Sequence, residues 1–493
     1  MKITFVYGGF ENLGVEYLSS SLKRAGHEVS LVYSPKLFDD TMLEIPLFAK
    51  IFTHYNDLAK RVVKTRPDIV AFSIVTDDYV WALKIARKVK KINPDIKTLF
   101  GGIHVTSVPD RVIHQKEVDY ACVGEGEYAI VEFVNAFEKG LSLDNIPNIW
   151  GKNGDSYFSN PPRPLIQDLD ELPFPDKQLF YDSAPYHSYA YTIMASRGCT
   201  LNCPYCHHNV ERRLYKGLGK YFRVRSVENV ISELEYAKKK WNIKRVMFED
   251  DMLLENREWI LKLCGEYKKK IGIPFMMIGH PTQVDDEMAE ALYNAGCKYI
   301  EIGVQTFNEL VKLDILKRPE HNKDVIKHLL ILKKHGIKFN VDQLAGLPCD
   351  REEDLIYSAK VYNYLRPNRI YFLFLTYYPE TEMCNIVTDM GYATKDEIEK
   401  VTDGMGESTV QRGSVTREIF SEFRFLYGYL PLLPPWIVDK IIRYKLYKYL
   451  PKYIPLCTNV PDSIGAIFFK SIEDFRGPLI ILKYIYHFFR LGY

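Results

Sequence analysis

SRGCTLNCPYCHHN, residues 196–209, contains a cysteine pattern that decides how the fold around it is interpreted. The chain has nine cysteines in 493 residues, and three of them lie within eight positions here. They follow a C-x3-C-x2-C spacing as Cys199, Cys203 and Cys206. A loop this short can turn all three thiols toward one centre, so the pattern predicts a metal site.

Two kinds of metal site are compatible with three clustered thiols. A [4Fe–4S] cluster held by three cysteines leaves one iron open, which makes it a site for chemistry. A structural zinc site would need a fourth ligand. His207 and His208 adjoin the third cysteine, but they are too close in sequence to reach around the ion easily. The incomplete ligand set therefore favours the iron–sulfur cluster over zinc.

The composition excludes several classes of protein. Hydrophobic residues make up 47% of the chain and charged residues 26%, which is an ordinary globular balance. The formal net charge of +2 gives no sign of a nucleic acid partner. The N-terminus, MKITFVYGGF, has no secretory signal pattern. We therefore expect a cytoplasmic protein with reduced thiols and no disulfide framework.

The first part of the chain, residues 1–140, has the pattern of a Rossmann-like domain. Strand-like runs such as KITFVY, EVSLVY and DIVAFSIV alternate with helical periodicity such as VEYLSSSLKRAG. This alternation predicts a doubly wound parallel sheet covered by helices. Turn residues follow the third, fourth and fifth strands, where ligands bind in such folds.

The rest of the chain divides into three segments. Residues 141–188 are rich in proline, which predicts an extended linker. Residues 189–385 contain six β/α units, which predict a partial (β/α)6 TIM-like barrel with its active site at the carboxyl ends of the strands. The cysteine loop follows the first of these strands. We expect residues 386–493 to form a mostly helical substrate or cap region.

The cysteine stretch resembles the signature of radical S-adenosylmethionine (SAM) enzymes, including the aromatic Tyr205 before the third cysteine. VMFEDD, AGCKYIEIGVQT and VDQLAGLPCDREED are similar to the strand ends of the cobalamin-containing branch of that family. SIVTDD, FGGIHVTSVPD and VDYACVGEGE are similar to its N-terminal cobalamin-binding domain. The resemblance covers roughly the first 385 residues.

The resemblance implies three cofactors: a [4Fe–4S] cluster, SAM and cobalamin. The open iron would hold the amino and carboxylate groups of SAM, and an electron from the cluster would cleave SAM to a 5′-deoxyadenosyl radical. The residues implied to bind SAM are Tyr205, Glu249, Asp250, Gln305, Thr306 and Gly346. The alternatives are structural: a solvated acidic turn, a surface loop and a turn at the barrel rim.

For cobalamin the resemblance implies backbone contacts rather than a histidine ligand. The residues concerned are Thr76, Gly101, Gly102, His104, Gly124, Glu125, Gly126 and Glu127. The Asp-x-His-x-x-Gly motif that supplies an axial histidine in other cobalamin proteins does not occur in residues 1–140.

Two further residues are candidates for catalysis. Asp251 follows the second barrel strand, and His280 follows the third, where many relatives carry arginine. A substrate-side proton donor and a structural histidine are both open for His280.

Methylation of an unactivated carbon is the function that the resemblance favours, on a small-molecule, natural-product-like or lipid-like substrate. A cyclase or carbon–carbon bond-forming enzyme of the same branch is the alternative, and a non-catalytic cobalamin or iron–sulfur sensor is a further one. An external electron donor such as a flavodoxin or ferredoxin is implied as a partner.

The tail predicts an amphipathic basic helix in WIVDKIIRYKLYKYLPKY, residues 436–453. Its expected apolar side is Val438, Ile442, Leu446, Tyr449 and Leu450, opposite Lys440, Lys445 and Lys448. A second apolar run near the end carries Lys483 and Arg490. Neither run reaches the ~20 apolar residues of a membrane span. We expect either a cap on the open side of the barrel or a segment that also touches a membrane surface.

The other cysteines are expected to be apolar core residues. They are Cys122, Cys264, Cys297, Cys349, Cys384 and Cys457.

Overall fold

The computed structural model describes residues 1–39, 48–49, 52–154, 156–406, 414, 422–449 and 476–490. In these residues the N-terminal domain is a seven-stranded sheet with the order β2-β1-β3-β4-β5-β6-β7. Its strands, β1 to β7, are Lys2–Gly8, Glu28–Ser34, Ile69–Ser73, Lys97–Gly101, Tyr120–Cys122, Ile149–Asn153 and Ser156–Ser159. The first five are parallel.

Helices cover both faces of this sheet, which confirms the doubly wound prediction. The helices α1 to α6 are Leu13–Arg24, Tyr55–Lys64, Tyr79–Ile92, Ile103–Ser107, Pro109–Ile113 and Glu127–Glu138. The apolar sides of α1 and α6 bury one face of the sheet, and those of α2 and α3 bury the other. The strand order reverses between β1 and β3, so a crevice opens there at the carboxyl ends of the strands.

The proline-rich segment is more structured than an extended linker. Strands β6 and β7 form a hairpin that adds to the N-terminal sheet in antiparallel orientation. The chain reverses between the paired residues Asn153 and Ser156, and Gly154 in this turn has a φ of 64°. A glycine between two short strand-like runs is a hairpin signal, which the prolines on either side obscured. A short helix, α7 (Gln178–Tyr181), follows. Beside it, the buried Lys177 pairs with the buried Glu16 of α1 at 2.8 Å.

The second domain is the predicted partial barrel. Its strands β8 to β15 are Ala190–Ile193, Ser196–Arg197, Arg223–Val224, Arg245–Phe248, Phe275–Gly279, Cys297–Gln305, Lys338–Ala345 and Arg369–Phe374. Six of them form one parallel sheet in the order β8-β11-β12-β13-β14-β15, and β9 and β10 form a separate antiparallel pair. The helices α8 to α13 are His207–Leu214, Val227–Trp241, Arg257–Lys270, Asp286–Ala295, Asn322–Lys334 and Glu352–Leu365.

Local sequence explains where the barrel helices begin and end. The Ser226 side chain accepts from the backbone N–H of Asn229 at the start of α9. Asp285 does the same for Met288 at the start of α11. Gly296, with a φ of 106°, ends α11 in the left-handed conformation. These caps place each following strand so that its carboxyl end points to the same rim.

The described part of the C-terminal region is helical, as predicted, and the cap role stays a prediction. Helices α14 to α18 are Glu382–Asp389, Lys395–Thr402, Phe423–Tyr429, Pro435–Arg443 and Arg476–Arg490. It is α14 that packs on the strand-end loops, through Met383 and Val387. Helix α16 packs beside α13 against β15, where Tyr427 lies 4.7 Å from the ring of Phe372.

The predicted amphipathic pattern of the tail is correct for one part and wrong for another. Val438 and Ile442 are buried as expected, but Leu446 and Tyr449 are exposed. The reason is that α17 ends at Arg443 and Lys445 adopts a φ of 52°. The next turn, the 3₁₀ helix Leu446–Tyr449, therefore buries Tyr447 instead. Leu450 lies outside the described residues.

In the second apolar run the lysine does not face solvent. Lys483 is fully buried, and its ammonium lies 4.9 Å from the Phe10 ring of the N-terminal domain. Helix α18 therefore packs on the domain junction. The side chain of Arg490 lies outside the described part of the structure. Within the described residues, none of the helices combines the length and apolarity that crossing a membrane requires.

Candidate functional site

A cavity of about 320 Å³ lies between the two domains. Its N-terminal wall is formed by the carboxyl ends of β3, β4 and β5 and by the turn 124–127. Its other wall comes from the barrel and includes Arg197, Gly198, His207, His208 and Asp251. The predicted cobalamin loops and the start of the cysteine loop therefore meet in one space.

The three cysteines lie between β9 and α8, on the rim predicted for the active site. Cys199 and Cys203 are buried, and Cys206 is half-buried. A structural zinc site would need a fourth ligand. A [4Fe–4S] cluster held by three cysteines leaves one iron open, so the three-thiol set fits the cluster.

The protonation state of these thiols depends on whether a metal is bound. Burial raises the pKa of Cys199 to about 11 and that of Cys206 to about 12, with the neighbouring thiols adding to the effect. Burial raises the pKa of Cys203 as well. Without a cation the three thiols would stay protonated at neutral pH. Iron ions would supply the positive charge that stabilises thiolates here.

The adjacent carboxylates Asp250 and Asp251 have different environments. Asp250 is buried, and its Oδ1 accepts from the N–H groups of Ala195 and Ser196 and from the Ser196 hydroxyl, at 2.9, 2.5 and 2.6 Å. Burial raises the pKa of Asp250 to about 7. Asp250 therefore holds the strand end that leads into the cysteine loop. Its Oδ2 is buried without a hydrogen-bond partner in the described residues, so SAM binding by this atom stays a prediction.

Asp251 faces the cavity instead. Its Oδ2 lies 3.0 Å from His208 Nε2. Burial acts to raise the pKa of Asp251, but the hydrogen bond and charge of His208 bring it below its usual value. The other ring nitrogen of His208 lies 2.7 Å from the hydroxyl of Tyr221. The carboxylate is thus ionised and held in place at the cavity wall.

His280 belongs to a buried network rather than to the cavity. Its Nε2 lies 3.0 Å from Glu320, which also pairs with Arg318 at 2.7 Å. Burial would raise the pKa of Glu320, but His280 and Arg318 lower it to about 2. Arg318 in turn donates to the carbonyl of Gly303 at 2.6 Å and lies 3.4 Å from the Tyr205 hydroxyl. This network favours the structural alternative for His280, and it holds Tyr205 of the cysteine loop against the fourth barrel strand.

The other residues predicted to bind SAM lie at strand ends, as expected. Gln305 ends β13 with a φ of 66°, which is rare for residues other than glycine and marks a strained position. Thr306 is buried, and its hydroxyl accepts from the N–H of Asn308, so it stabilises the turn. Gly346, with a φ of 75°, follows β14. Glu249 follows β11 and is half-buried. Their contacts with SAM stay predictions.

The N-terminal glycines permit close approach of neighbouring groups. Gly102 has a φ of 95°, and a Cβ there would lie 2.6 Å from the backbone of Ile74. Gly124 has a φ of 82°, and a Cβ there would lie 1.8 Å from the Tyr215 hydroxyl oxygen of the barrel domain. Both positions require glycine. Gly101, Gly126, Glu125 and Glu127 also line the cavity.

Thr76 and His104 are not among the lining residues of this cavity. Thr76 Oγ1 lies 3.1 Å from His104 Nδ1, and the ring of Tyr79 lies 4.3 Å from that of His104. Burial lowers the pKa of His104 to about 4, so the ring is neutral. Thr76 and His104 therefore contact each other outside the cavity lining, and a direct contact of either residue with cobalamin stays a prediction.

Sequence reasoning missed the arginines that join the domains at the cavity. Arg197 pairs with Glu127 at 2.5 Å and with Glu125 at 3.3 Å, and Arg223 pairs with Glu125 at 2.9 Å. The GEGE carboxylates are therefore directed at the barrel domain. The available signal was the pair of arginines in FRVR beside the arginine of SRGC, since buried arginines need carboxylate partners.

Sequence reasoning considered His207 and His208 as metal ligands, but it missed Glu211, which completes a histidine–glutamate group with them. Among the described residues, His207, His208 and Glu211 form the one group of three metal-ligating side chains whose ligand atoms all lie within 4.8 Å. They lie on the first turns of α8 at the cavity wall, directly after Cys206. The spacing of His207 and Glu211, four residues apart on a predicted helix, was the available signal.

The remaining cysteines match the prediction with one exception. Cys122, Cys264, Cys297 and Cys384 are buried, as expected. Cys349 is exposed, so its assignment to the core was wrong. It follows the Gly346 turn with a φ of 67°, and this backbone places it at the surface. Cys457 lies outside the described residues.

Two family models match the chain. The B12 binding domain model matches residues 3–134, and the radical SAM superfamily model matches residues 193–361. Together they match more than half of the chain. These matches confirm the predicted order of a cobalamin-binding domain followed by a radical SAM barrel.

Individual proteins match the chain over longer stretches. An uncharacterized methyltransferase of Pyrococcus horikoshii is 28% identical over 381 residues, covering 75% of this chain and 77% of that protein. An anaerobic magnesium-protoporphyrin IX monomethyl ester cyclase of Rubrivivax gelatinosus is 24% identical over 476 residues, covering 89% of this chain and 80% of that protein.

A solved structure shows the same fold. The radical S-adenosylmethionine methyltransferase TsrM from Kitasatospora setae, with cobalamin and a [4Fe–4S] cluster bound, matches with a TM-score of 0.64 at 15% identity, over 79% of this chain and 78% of that chain. The two model matches show that the chain belongs to the radical SAM superfamily and carries a B12-binding domain in front of its radical SAM domain.

Proposed function

We propose that this protein is a cobalamin-dependent radical SAM methyltransferase that methylates an unactivated carbon. One observation carries the proposal. The glycine-lined strand ends of the B12-binding domain and the start of the three-cysteine loop form opposite walls of one cavity. When bound, the cluster and SAM supply a radical that abstracts hydrogen, and cobalamin supplies the methyl group. Both kinds of chemistry can then act on one substrate.

The residues of the N-terminal wall fit cobalamin. Gly101, Gly102, Gly124 and Gly126 line this wall, so backbone rather than side chains faces the cavity there. Beyond them the cavity extends into an apolar space between the sheet and its helices, lined by Phe5, Ala71 and Leu99. Such a space suits the aromatic base of cobalamin once that base has left the cobalt. The wall thus offers backbone approach for the ring and an apolar site for the base.

The residues of the barrel wall fit an iron–sulfur cluster with SAM. Three thiols whose pKa is raised by burial need cationic metal to ionise. Asp250 fixes the strand before their loop, and Arg318 supports Tyr205 from the other side. Tyr205 packs with the apolar loops that follow β14 and β15. The loop is therefore held at both ends, and the third cysteine lies next to the cavity wall at His207.

Ring formation is the second candidate function. The relative named as a cyclase matches a larger share of this chain than the relative named as a methyltransferase, including much of the C-terminal region. The radical would be formed in the same way, so the two functions differ in whether a methyl group is transferred. The products of SAM distinguish them.

The test is an anaerobic assay of the reconstituted protein with SAM, cobalamin, a reductant and an extract of small molecules from the source cells. Methylation should give S-adenosylhomocysteine and 5′-deoxyadenosine in similar amounts. A cyclase would give the nucleoside alone, and a sensor would give neither. A protein with Cys203→Ala is the control, and it should form neither product.

The protein needs an electron donor, and a membrane surface is a second proposed partner. The cluster needs one electron for each SAM that it cleaves, and we propose a flavodoxin or ferredoxin as the donor. We also propose that the substrate is apolar or lipid-like and that the protein touches a membrane surface. The support is the exposed side of α17, where Trp436 and Tyr444 are 60% and 63% exposed and lie beside Lys440 and Arg443. Aromatic and basic side chains on one helix face favour an anionic lipid surface.

Vesicle flotation tests the membrane contact. The intact protein should float with vesicles of phosphatidylglycerol and phosphatidylcholine at low salt, and the double change Trp436→Ser, Lys440→Glu should reduce the floating fraction. Tyr293→Ser is the matched control, since Tyr293 is an exposed aromatic residue of α11. If the intact protein stays in the soluble fraction, the membrane contact is wrong, and the methylation proposal is unaffected.

A further inference from the structure

Arg197 occupies a position between the two cofactor regions. It is the last residue of β9 and stands two positions before Cys199. Its guanidinium donates to Glu127 at 2.5 Å and to Glu125 at 3.3 Å, and it lies 5.3 Å from the ring of Tyr17. The Arg197 side chain is only 16% exposed and that of Glu127 only 6%. The backbone that begins the cysteine loop is thus joined to the turn that forms the other wall of the cavity.

Arg223 adds a second ionic contact between the two domains. It is the register partner of Arg197 in the β9–β10 pair. It donates to Glu125 at 3.0 Å and to the carbonyl of Ile166 at 2.8 Å. Two arginines of the barrel domain therefore meet two glutamates of one turn in the N-terminal domain. The charges balance inside a poorly hydrated junction, where loss of one partner leaves the others buried and uncompensated.

The geometry leaves little space for either loop to move alone. The N–H of Glu125 donates to the Tyr215 hydroxyl at 2.6 Å, and Gly124 lies against the same hydroxyl. On the other side, a Cβ at Gly198 would lie 2.3 Å from the carbonyl oxygen of Tyr221. Although burial acts to raise it, the charge of Arg197 keeps the pKa of Glu127 below its usual value, so the pair stays ionised.

We infer that Arg197 is a positioning residue that couples the two cofactor sites, so that cobalamin in the N-terminal wall favours the arrangement of the cysteine loop that binds SAM. This inference rests on the proposed function for the identity of the two ligands. The physical basis is that one rigid ionic connection ends in both loops. A ligand that shifts the turn 124–127 therefore also shifts the loop that begins at Gly198, so binding at one site changes the affinity of the other.

Coupling of this kind is measurable as a ratio of affinities. SAM binding to the reconstituted cluster protein is measured by anaerobic equilibrium dialysis, with and without saturating hydroxocobalamin. In the unmodified protein, cobalamin should tighten SAM binding about fivefold or more, and SAM should tighten cobalamin binding by the same factor. In the Arg197→Gln protein this factor should fall to about one, while both ligands still bind. Arg197→Lys keeps the charge but loses the two-pronged contact, so it should retain part of the coupling.

A matched control separates coupling from general domain contact. Arg111 also joins the domains through two carboxylates, Glu399 and Asp403, but it does not line the cavity. Arg111→Gln should therefore leave the coupling factor unchanged. If Arg197→Gln does not fold, Arg197→Lys replaces it, and its coupling factor should be smaller than that of the unmodified protein.

The possible results separate this inference from the proposed function. A factor of one in the unmodified protein, or an unchanged factor in Arg197→Gln (in Arg197→Lys where Arg197→Gln does not fold), would overturn the inference. An unmodified protein that binds no cobalamin at all would instead refute the proposed function.

Discussion

The two walls of the cavity are built in different ways. The N-terminal wall depends on glycines: a Cβ at Gly102 would meet the backbone of Ile74, and one at Gly124 would meet the Tyr215 hydroxyl. The barrel wall uses side-chain networks, in which Asp250 and Arg318 hold the cysteine loop from two sides. A wall that depends on glycine tolerates no added side chain at these positions. A wall made of charged side chains holds metal-binding thiols in place, and it depends on many distant partners.

The largest effect is expected from the thiols, because nothing else in the loop can replace a ligand. Changing Cys199, Cys203 or Cys206 to Ala should remove the iron–sulfur absorbance of the anaerobically reconstituted protein and abolish SAM cleavage. Cys349→Ala is the matched control, since this cysteine is exposed and should change neither property. Full iron content and unchanged cleavage in any of the three loop variants would refute the cluster assignment.

The second prediction tests the backbone wall with one added methyl group. Gly124→Ala should weaken cobalamin binding at least about tenfold, because the new Cβ would lie 1.8 Å from the Tyr215 hydroxyl and displace the turn. Gly140→Ala is the control: it has a φ of 63° but no atom within 4 Å of the new Cβ. It should cost about 1 kcal/mol of stability and leave cobalamin affinity unchanged. Spectroscopic titration with hydroxocobalamin gives both affinities, and equal affinities would show that the turn is not part of the site.

The third prediction concerns the buried carboxylate of the barrel wall. Burial raises the pKa of Asp250 to about 7, above its usual value of 3.8. This raised pKa stabilises the folded state below pH ~4, and the stabilisation is lost as the pH rises through 7, by about 1.4 kcal/mol for each pKa unit between the two values. Asn does not titrate, so the melting temperature of Asp250→Asn relative to the unmodified protein should increase between pH 4 and 7. A difference in melting temperature that stays constant over this pH range would show that Asp250 is not protonated in the folded protein.

The difference between the walls also explains what the sequence could predict. Strand ends, glycine turns and the cysteine spacing are local patterns, and the structure contains the predicted strands and turns. The hairpin at Asn153 and Gly154 was equally local, and it was missed because nearby prolines dominated the segment. The helical periodicity of the tail is interrupted at Lys445, whose left-handed backbone cannot be inferred from the spacing of apolar residues.

The side-chain networks could not be predicted in the same way. Arg318 meets Tyr205 across 113 positions of sequence, and Arg197 meets Glu127 across 70. Nothing in one sequence indicates which arginine pairs with which glutamate, because the partners meet only when both domains are folded and packed. The residues that hold the cysteine loop were therefore found only in the structure.

The account predicts that one chain holds two different metal cofactors at two walls of one cavity. Cobalt and iron analysis of protein reconstituted anaerobically with cobalamin, iron and sulfide tests this most directly. We expect about one cobalt and four irons for each chain, loss of iron with retention of cobalt in Cys203→Ala, and a reduced cobalt content with retention of iron in Gly124→Ala. Unmodified protein that takes up iron but no cobalt, or a Cys203→Ala protein that keeps all four irons, would contradict the account.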